Sequence, residues 1–66
     1  MTNEIINKMI EEIKFWIELS VEEYHNNGRS DWYNRTIDRI HGMISMLQIA
    51  SGKKYYFDEN GVHERG

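Results

Sequence analysis

Two pairs of residues in this chain have types and spacing that could do chemistry. Glu22 stands three positions before His25, and Asp38 stands three before His41. On a helix, positions i and i+3 are neighbours. A carboxylate and an imidazole at that spacing can hold carboxylate-bridged metals inside helical bundles. Two copies of such a chain would bring four pairs. The helical register opposes that use. With Ile17 and Tyr24 turned inward, Glu22 and His25 point outward, and Asp38 is likewise off the apolar seam of its own segment. The two pairs also sit at different heights. They read as solvated surface residues, and no metal or cofactor is implied. The chain carries no Gly-rich phosphate loop, no Gly-x-Ser-x-Gly and no His-Glu-x-x-His, so no nucleophile–base pair can be argued. Asn34-Arg35-Thr36 matches a glycosylation sequon, which within a helix of an intracellular chain is coincidence. The expectation is a protein that is not an enzyme.

The elements that must position any functional surface follow from periodicity. Ile6, Ile10, Ile13, Ile17, Ser20 and Tyr24 recur at spacings of 4, 3, 4, 3 and 4, which is a heptad-like helical seam. Ile5, Met9, Trp16 and Leu19 flank it, and Glu4, Lys8, Glu11, Glu18 and Glu22 hold the opposite side. Thr2 or Asn3 can cap this helix, which is predicted over about residues 3–26. Asn26-Asn27-Gly28 then stops it. Ser30 or Asp31 caps a second helix over 31–51, with Tyr33, Ile37, Ile40, Ile44 and Leu47 at spacings of 4, 3, 4 and 3. Gly52 ends it. So short a connection makes the helices an antiparallel hairpin. Counting levels back from the turn sets Ile17 near Ile40, Glu22 near Arg35 and Glu18 near Arg39, two expected surface ion pairs. Beyond Gly52, Tyr55-Tyr56-Phe57 has strand character and Asn60-Gly61 is a two-residue hairpin turn signal, with Val62-His63 returning. The tail, 53–66, is expected to pack on the uncharged half of the second helix, with Glu64-Arg65-Gly66 frayed.

Size and charge narrow the function. The chain has 66 residues and no cysteine, with eight basic against eleven acidic residues for a net charge of −3. One small domain of this kind buries only about 60% of its unfolded surface, and without disulfides it needs oligomerisation or very regular helix packing. The first helix holds six Glu and two Lys, so the acidity sits there. From Ile40 to Gly52, by contrast, thirteen residues carry no formal charge apart from what His41 takes up. A helix apolar nearly all round is covered all round, so part of the cover is expected from a second copy or another protein. The longest strictly apolar run, Phe15-Trp16-Ile17, is far short of the ~20 residues of a membrane span. No basic region followed by an apolar core begins the chain, and it reads as cytoplasmic.

The candidate contact surface contains Trp32, Gly42, Ser45, Met46 and Ile49, with Tyr55, Tyr56 and Phe57 of the tail. Gly42, Ser45 and Ile49 fall on one stripe behind the seam, where small residues permit close approach of another helix or of the tail. The acidic side of the first helix, at Glu11, Glu18 and Glu22, is a second candidate for a basic partner. A different class of reading is a nucleic-acid-associated regulatory module using Arg29, Arg35, Arg39, Lys53 and Lys54 with Tyr55 and Tyr56. The net negative charge, with Glu18 and Glu22 beside the arginines, disfavours it.

The stretch Gly52-Lys53-Lys54-Tyr55-Tyr56-Phe57-Asp58-Glu59-Asn60-Gly61-Val62 resembles half of a cell-wall choline- or glucan-binding repeat, with its Gly-Lys, Tyr-Tyr-Phe and Asn-Gly elements. That resemblance implies an aromatic-bearing hairpin. It covers about a sixth of the chain, and Lys54 stands where that family usually has an aromatic. The whole chain, a capped helical hairpin followed by Ile-Ala-Ser-Gly-Lys-Lys-Tyr-Tyr-Phe, resembles small proteins of phages and prophages of Gram-positive bacteria. That resemblance implies a role in binding and redirecting host proteins. The expected architecture is mainly α: an antiparallel two-helix hairpin over 1–52 with a short C-terminal β-hairpin, pairing into a four-helix-type homodimer. The expected function is a non-enzymatic inhibitor or adaptor that occludes a site on a host protein.

Overall fold

Ile13 and Ile17 of the first seam close against Ile40, Ile44 and Leu47 of the second, and these five aliphatic side chains are the buried core. They do so in a computed structural model that describes residues 3–65. The elements are α1 (Asn3–Asn27), α2 (Asp31–Ser51), β1 (Tyr55–Asp58) and β2 (Gly61–Glu64). Two helices in a hairpin are thus followed by a two-stranded antiparallel sheet. The expected fold class holds in that form, and the helical boundaries fall within one residue of those read from sequence. Thr2, offered as a cap, lies outside the described residues.

The turn between the helices is organised by side chains. Ser30 is the N-cap of α2 and accepts a hydrogen bond from the Tyr33 amide at 3.1 Å. Its hydroxyl in turn donates to Glu23 Oε2 at 2.6 Å, while Glu23 Oε1 accepts from Asn27 Nδ2 at 3.0 Å. One carboxylate therefore holds both ends of the loop. α2 ends at Gly52, which takes the left-handed conformation (φ 73°) and donates its amide to Gln48 O at 2.9 Å, the usual glycine stop.

The tail departs from expectation in three ways. First, it lies across both helices, β1 against α2 and β2 against α1, instead of on α2 alone. An isolated hairpin is barely stable in water. Here Tyr55, Phe57 and Val62 pack onto the aliphatic core, and both helices supply it. Second, the turn falls one residue earlier than read. Asp58 pairs with Gly61, so Glu59 and Asn60 form the loop. Asp58 Oδ1 accepts from the Asn60 amide at 2.8 Å and starts the turn. Gly61, at φ 131°, supplies the positive angle that no other described residue but Gly28 and Gly52 adopts. Third, the end is not frayed through Arg65. Glu64 pairs with Tyr55 across the sheet. Glu64 also meets Lys53 at 3.2 Å, and the Arg65 amide donates to Lys54 O at 2.8 Å. Gly66 lies outside the described residues.

Neither expected interhelical ion pair, Glu22–Arg35 or Glu18–Arg39, is among those of the described residues. Equal height on two helices does not make equal angle. The Arg39 guanidinium turns instead over the Trp16 ring, 4.6 Å from its centroid.

A chain of this size has roughly 3–10 kcal/mol of stability at the usual yield per residue. Leu47 is fully buried, and Leu47→Ala should remove about 2–5 kcal/mol, a large part of the total. Ile49 is 78% exposed two positions further on, and Ile49→Ala in dilute solution should stay within about 0.5 kcal/mol of wild type. Urea melts followed by circular dichroism check both.

Candidate interaction surface

Each helix carries a second stripe one residue ahead of its seam. On α1 it is Ile5, Met9, Glu12, Trp16, Leu19 and Glu23, and on α2 it is Trp32, Thr36, Arg39, Met43 and Met46. One residue is a rotation of about 100°. In an antiparallel pair, chain direction and facing direction both reverse, so the two second stripes fall on the same side of the hairpin. The β-hairpin occupies the other side. On the uncovered side Met9, Glu12, Ile13, Arg39, Gly42, Met43 and Met46 line an open groove of about 390 Å³. Arg39 over Trp16, with Phe15 edge-on to the same indole at 6.1 Å, forms its end nearer the helical turn. An exposed cation–π contact of this kind contributes about 0.5–1 kcal/mol. Among the described residues neither Glu12 nor Arg39 belongs to an ion pair.

The residues singled out in the sequence divide among separate surfaces. Gly42 and Met46 come together in the groove, while Trp32 lies on the same side about four turns from Met46, nearer the helical turn. Met46 is 60% exposed and Trp32 44% exposed, the latter over a shallow depression formed with Leu19, Glu22, Glu23 and Asn26. A Cβ built on Gly42 would meet nothing within 4 Å, so the tail does not approach Gly42. Ser45 and Ile49 stand on the outer edge of α2, in a depression shared with Gln48, Gly52, Lys53 and Lys54. The tail aromatics split. Tyr55 and Phe57 turn inward and are half-buried against the core. Phe57 meets the His41 ring edge-on at 5.0 Å, and the Tyr55 amide donates to Gln48 Oε1 at 2.9 Å. Tyr56 alone faces out, beside His63 at 5.1 Å and under Arg65 at 5.6 Å. Glu11, Glu18 and Glu22 are all exposed along α1.

The basic residues are not gathered either. Arg29 lies in the loop before α2, while Lys53 and Lys54 lie beyond its far end, about 30 Å away along a 21-residue helix. Lys53 is paired with Glu64, and Arg39 sits on Trp16. The Glu22–His25 and Asp38–His41 pairs do not converge. Among the described residues no three His, Cys, Asp or Glu side chains are placed to hold a metal ion. His25 instead edges a cleft of about 380 Å³ between the helical turn and the β-hairpin tip, together with Tyr24, Arg29, Tyr33, Phe57 and Asp58. Tyr24 and Tyr33 meet in its lining with centroids 5.3 Å apart and their rings tilted by 50°.

Glu12, Met43 and Glu23 are the positions sequence reasoning passed over, and Met9 was placed only at the flank of the seam. All four sit on the second stripe, whose 4-3 spacing was visible but interrupted by the polar Glu12, Glu23, Thr36 and Arg39. Comparison of the chain with protein-family models, curated proteins and solved structures finds no match. Among the described residues no helix is long and apolar enough to cross a membrane.

At the sheet tip, Asp58 Oδ1 accepts from His63 Nε2 at 2.9 Å and from the Asn60 amide. The His63 hydrogen bond first, and the Asn60 amide second, hold the Asp58 carboxyl below its usual range. A carboxylate whose pKa is lowered on folding contributes stability above its unfolded pKa and loses it as pH falls through the folded value. The tip should therefore loosen as pH drops below about 4. Asp58→Asn should be less stable than wild type at neutral pH and show a shallower decline in acid. Melts of both proteins across acid pH, followed by tyrosine fluorescence, check this.

Proposed function

We propose that this chain is a small non-enzymatic protein-interaction protein, an inhibitor or adaptor that pairs as a homodimer and occludes a site on another protein. The observation that carries the reading is the exposure of Met46 and Ile49 on α2, 60% and 78%, with Trp32 at the start of the same helix. Met46 and Ile49 stand one turn apart on α2, and neighbouring exposed apolar side chains mark a contact surface where scattered single ones do not. Trp and Met are also enriched where partners meet. Occlusion needs shape and charge and no reactive group. The exposed Glu11, Glu18 and Glu22 suit a partner with a basic surface, which they would attract and orient before contact. The resemblance to small phage proteins that bind host proteins points the same way.

Three variants test the reading. A tagged chain should retain a partner from a lysate of its source cell that Ile49→Glu or the triple Glu11→Gln, Glu18→Gln, Glu22→Gln variant loses. A captured set unchanged by either variant overturns it. Gly42→Leu meets open space within the chain, so its helix should gain up to about 1 kcal/mol. The paired fraction in sedimentation should fall, and an unchanged fraction would remove Gly42 from the contact.

A further inference from the structure

The groove side of the hairpin has the pattern, charge and size of a face that meets its own copy. We infer that two chains pair groove to groove, forming one four-helix layer with a β-hairpin on each outer side. This rests on the homodimer proposed above and specifies its surface.

A helix that packs only in a two-helix hairpin needs one 4-3 stripe, whereas a helix inside a bundle needs a second stripe beside it. Both helices carry that second stripe, and both present it on the side the β-hairpin leaves open. The seam is filled from within the chain. The second stripe has Met46 and Trp32 still exposed.

Charge selects the occupant. The groove places one acid, Glu12, on α1 and one base, Arg39, on α2, and among the described residues neither is in an ion pair. Within the groove the pair sums to zero, and Glu23, at the turn end of the same stripe, is held by Asn27 and Ser30. A twofold axis along the hairpin sets α1 of one copy over α2 of the other, so each acid-bearing helix meets a base-bearing one, as an interface of identical surfaces requires. The outer side of α1, with Glu11, Glu18 and Glu22, would oppose like charge to like. The helical faces supply enough area. About 30 Å of paired helix, two helices wide, gives roughly 600 Å² per copy, and roughly 1,200 Å² in total reaches the lower bound of stable interfaces.

The absence of cysteine makes a thiol footprint clean. The unmodified chain is weighed by light scattering across concentration. Maleimide alkylation rates are then measured for Met46→Cys and Trp32→Cys on the face, and for Ile49→Cys and Tyr56→Cys off it. All four positions are exposed in the single chain. The expected mass at high concentration is twice the 8.0 kDa of one chain. Alkylation at positions 46 and 32 should slow about tenfold, the ratio when nine chains in ten are paired, while 49 and 56 keep their rates. A doubled mass with slowing at 49 or 56, or at none of the four, overturns the face and leaves the homodimer standing. A single-chain mass at every concentration overturns both. Met46→Glu should give the single-chain mass with its helical signal retained, and a Met46→Glu chain of doubled mass would also overturn the face.

Discussion

An α-helix can bury against one neighbour only the arc that faces it, and the rest of this structure depends on that limit. The Ile13–Ile17 and Ile40–Ile44–Leu47 contact satisfies the arc between α1 and α2. Beyond it the apolar surface of each helix continues in both rotational directions, and a two-helix unit has nothing more of its own to set there. The β-hairpin extends burial one way. Phe57 and Val62 lie over the groove between the helices, and Gln48 gives the Tyr55 amide its acceptor. On the opposite side burial stops at the half-exposed Met9, Trp16 and Met43. The asymmetry is a consequence of having one sheet and two faces.

Two of the three reversals of the chain, the helical turn and the sheet tip, are held by an acidic side chain that accepts from two donors. Glu23 takes Asn27 and Ser30 at the helical turn, and Asp58 takes Asn60 and His63 at the sheet tip. Hydrogen bonds to a charged acceptor are roughly twice as strong as neutral ones. A turn fixed in this way also fixes register. Ser30 starts α2 at one residue and no other, so Ile40 faces Ile17 without relying on surface ion pairs to align the helices. The tip performs the same task for the strands, where a slip of one residue would turn Phe57 and Val62 to solvent and Tyr56 inward.

Much of this was legible in the sequence because it is local. The 4-3 seams, the Ser30 cap, the Gly52 stop and the strand character of Tyr55-Tyr56-Phe57 each depend on a few neighbouring residues. What was not legible depends on angle or on contact across the fold. Counting from the turn gave Glu18 and Arg39 equal height, but height says nothing of rotation, and Arg39 found the Trp16 ring instead. Asn60-Gly61 was a sound turn signal until Asp58, which caps the Asn60 amide, moved the loop back by one. The groove was hidden for a different reason. Its stripe has helical spacing, yet Glu12, Thr36 and Arg39 break its apolar pattern, so it looked like a fringe of the seam.

The uncharged run from Ile40 to Gly52 can now be divided by cause. Ile40, Ile44 and Leu47 are the seam, His41 and Gln48 serve the hairpin, and Met43 and Met46 belong to the groove. Gly42 lines the groove with its open side outward, and Ser45 and Ile49 stand on the outer edge of α2. The outer positions of α1 are acidic, and the earlier turns of α2 place Arg35 and Asp38 outward. Water gives an edge no reason to change from charged to uncharged halfway along one helix. The change begins at Gly42, where a helix-weakening residue is kept although a Cβ would meet nothing. Two different surfaces therefore share the second half of α2, a groove lined by Gly42, Met43 and Met46, and an outer edge that carries Ser45 and the exposed Ile49.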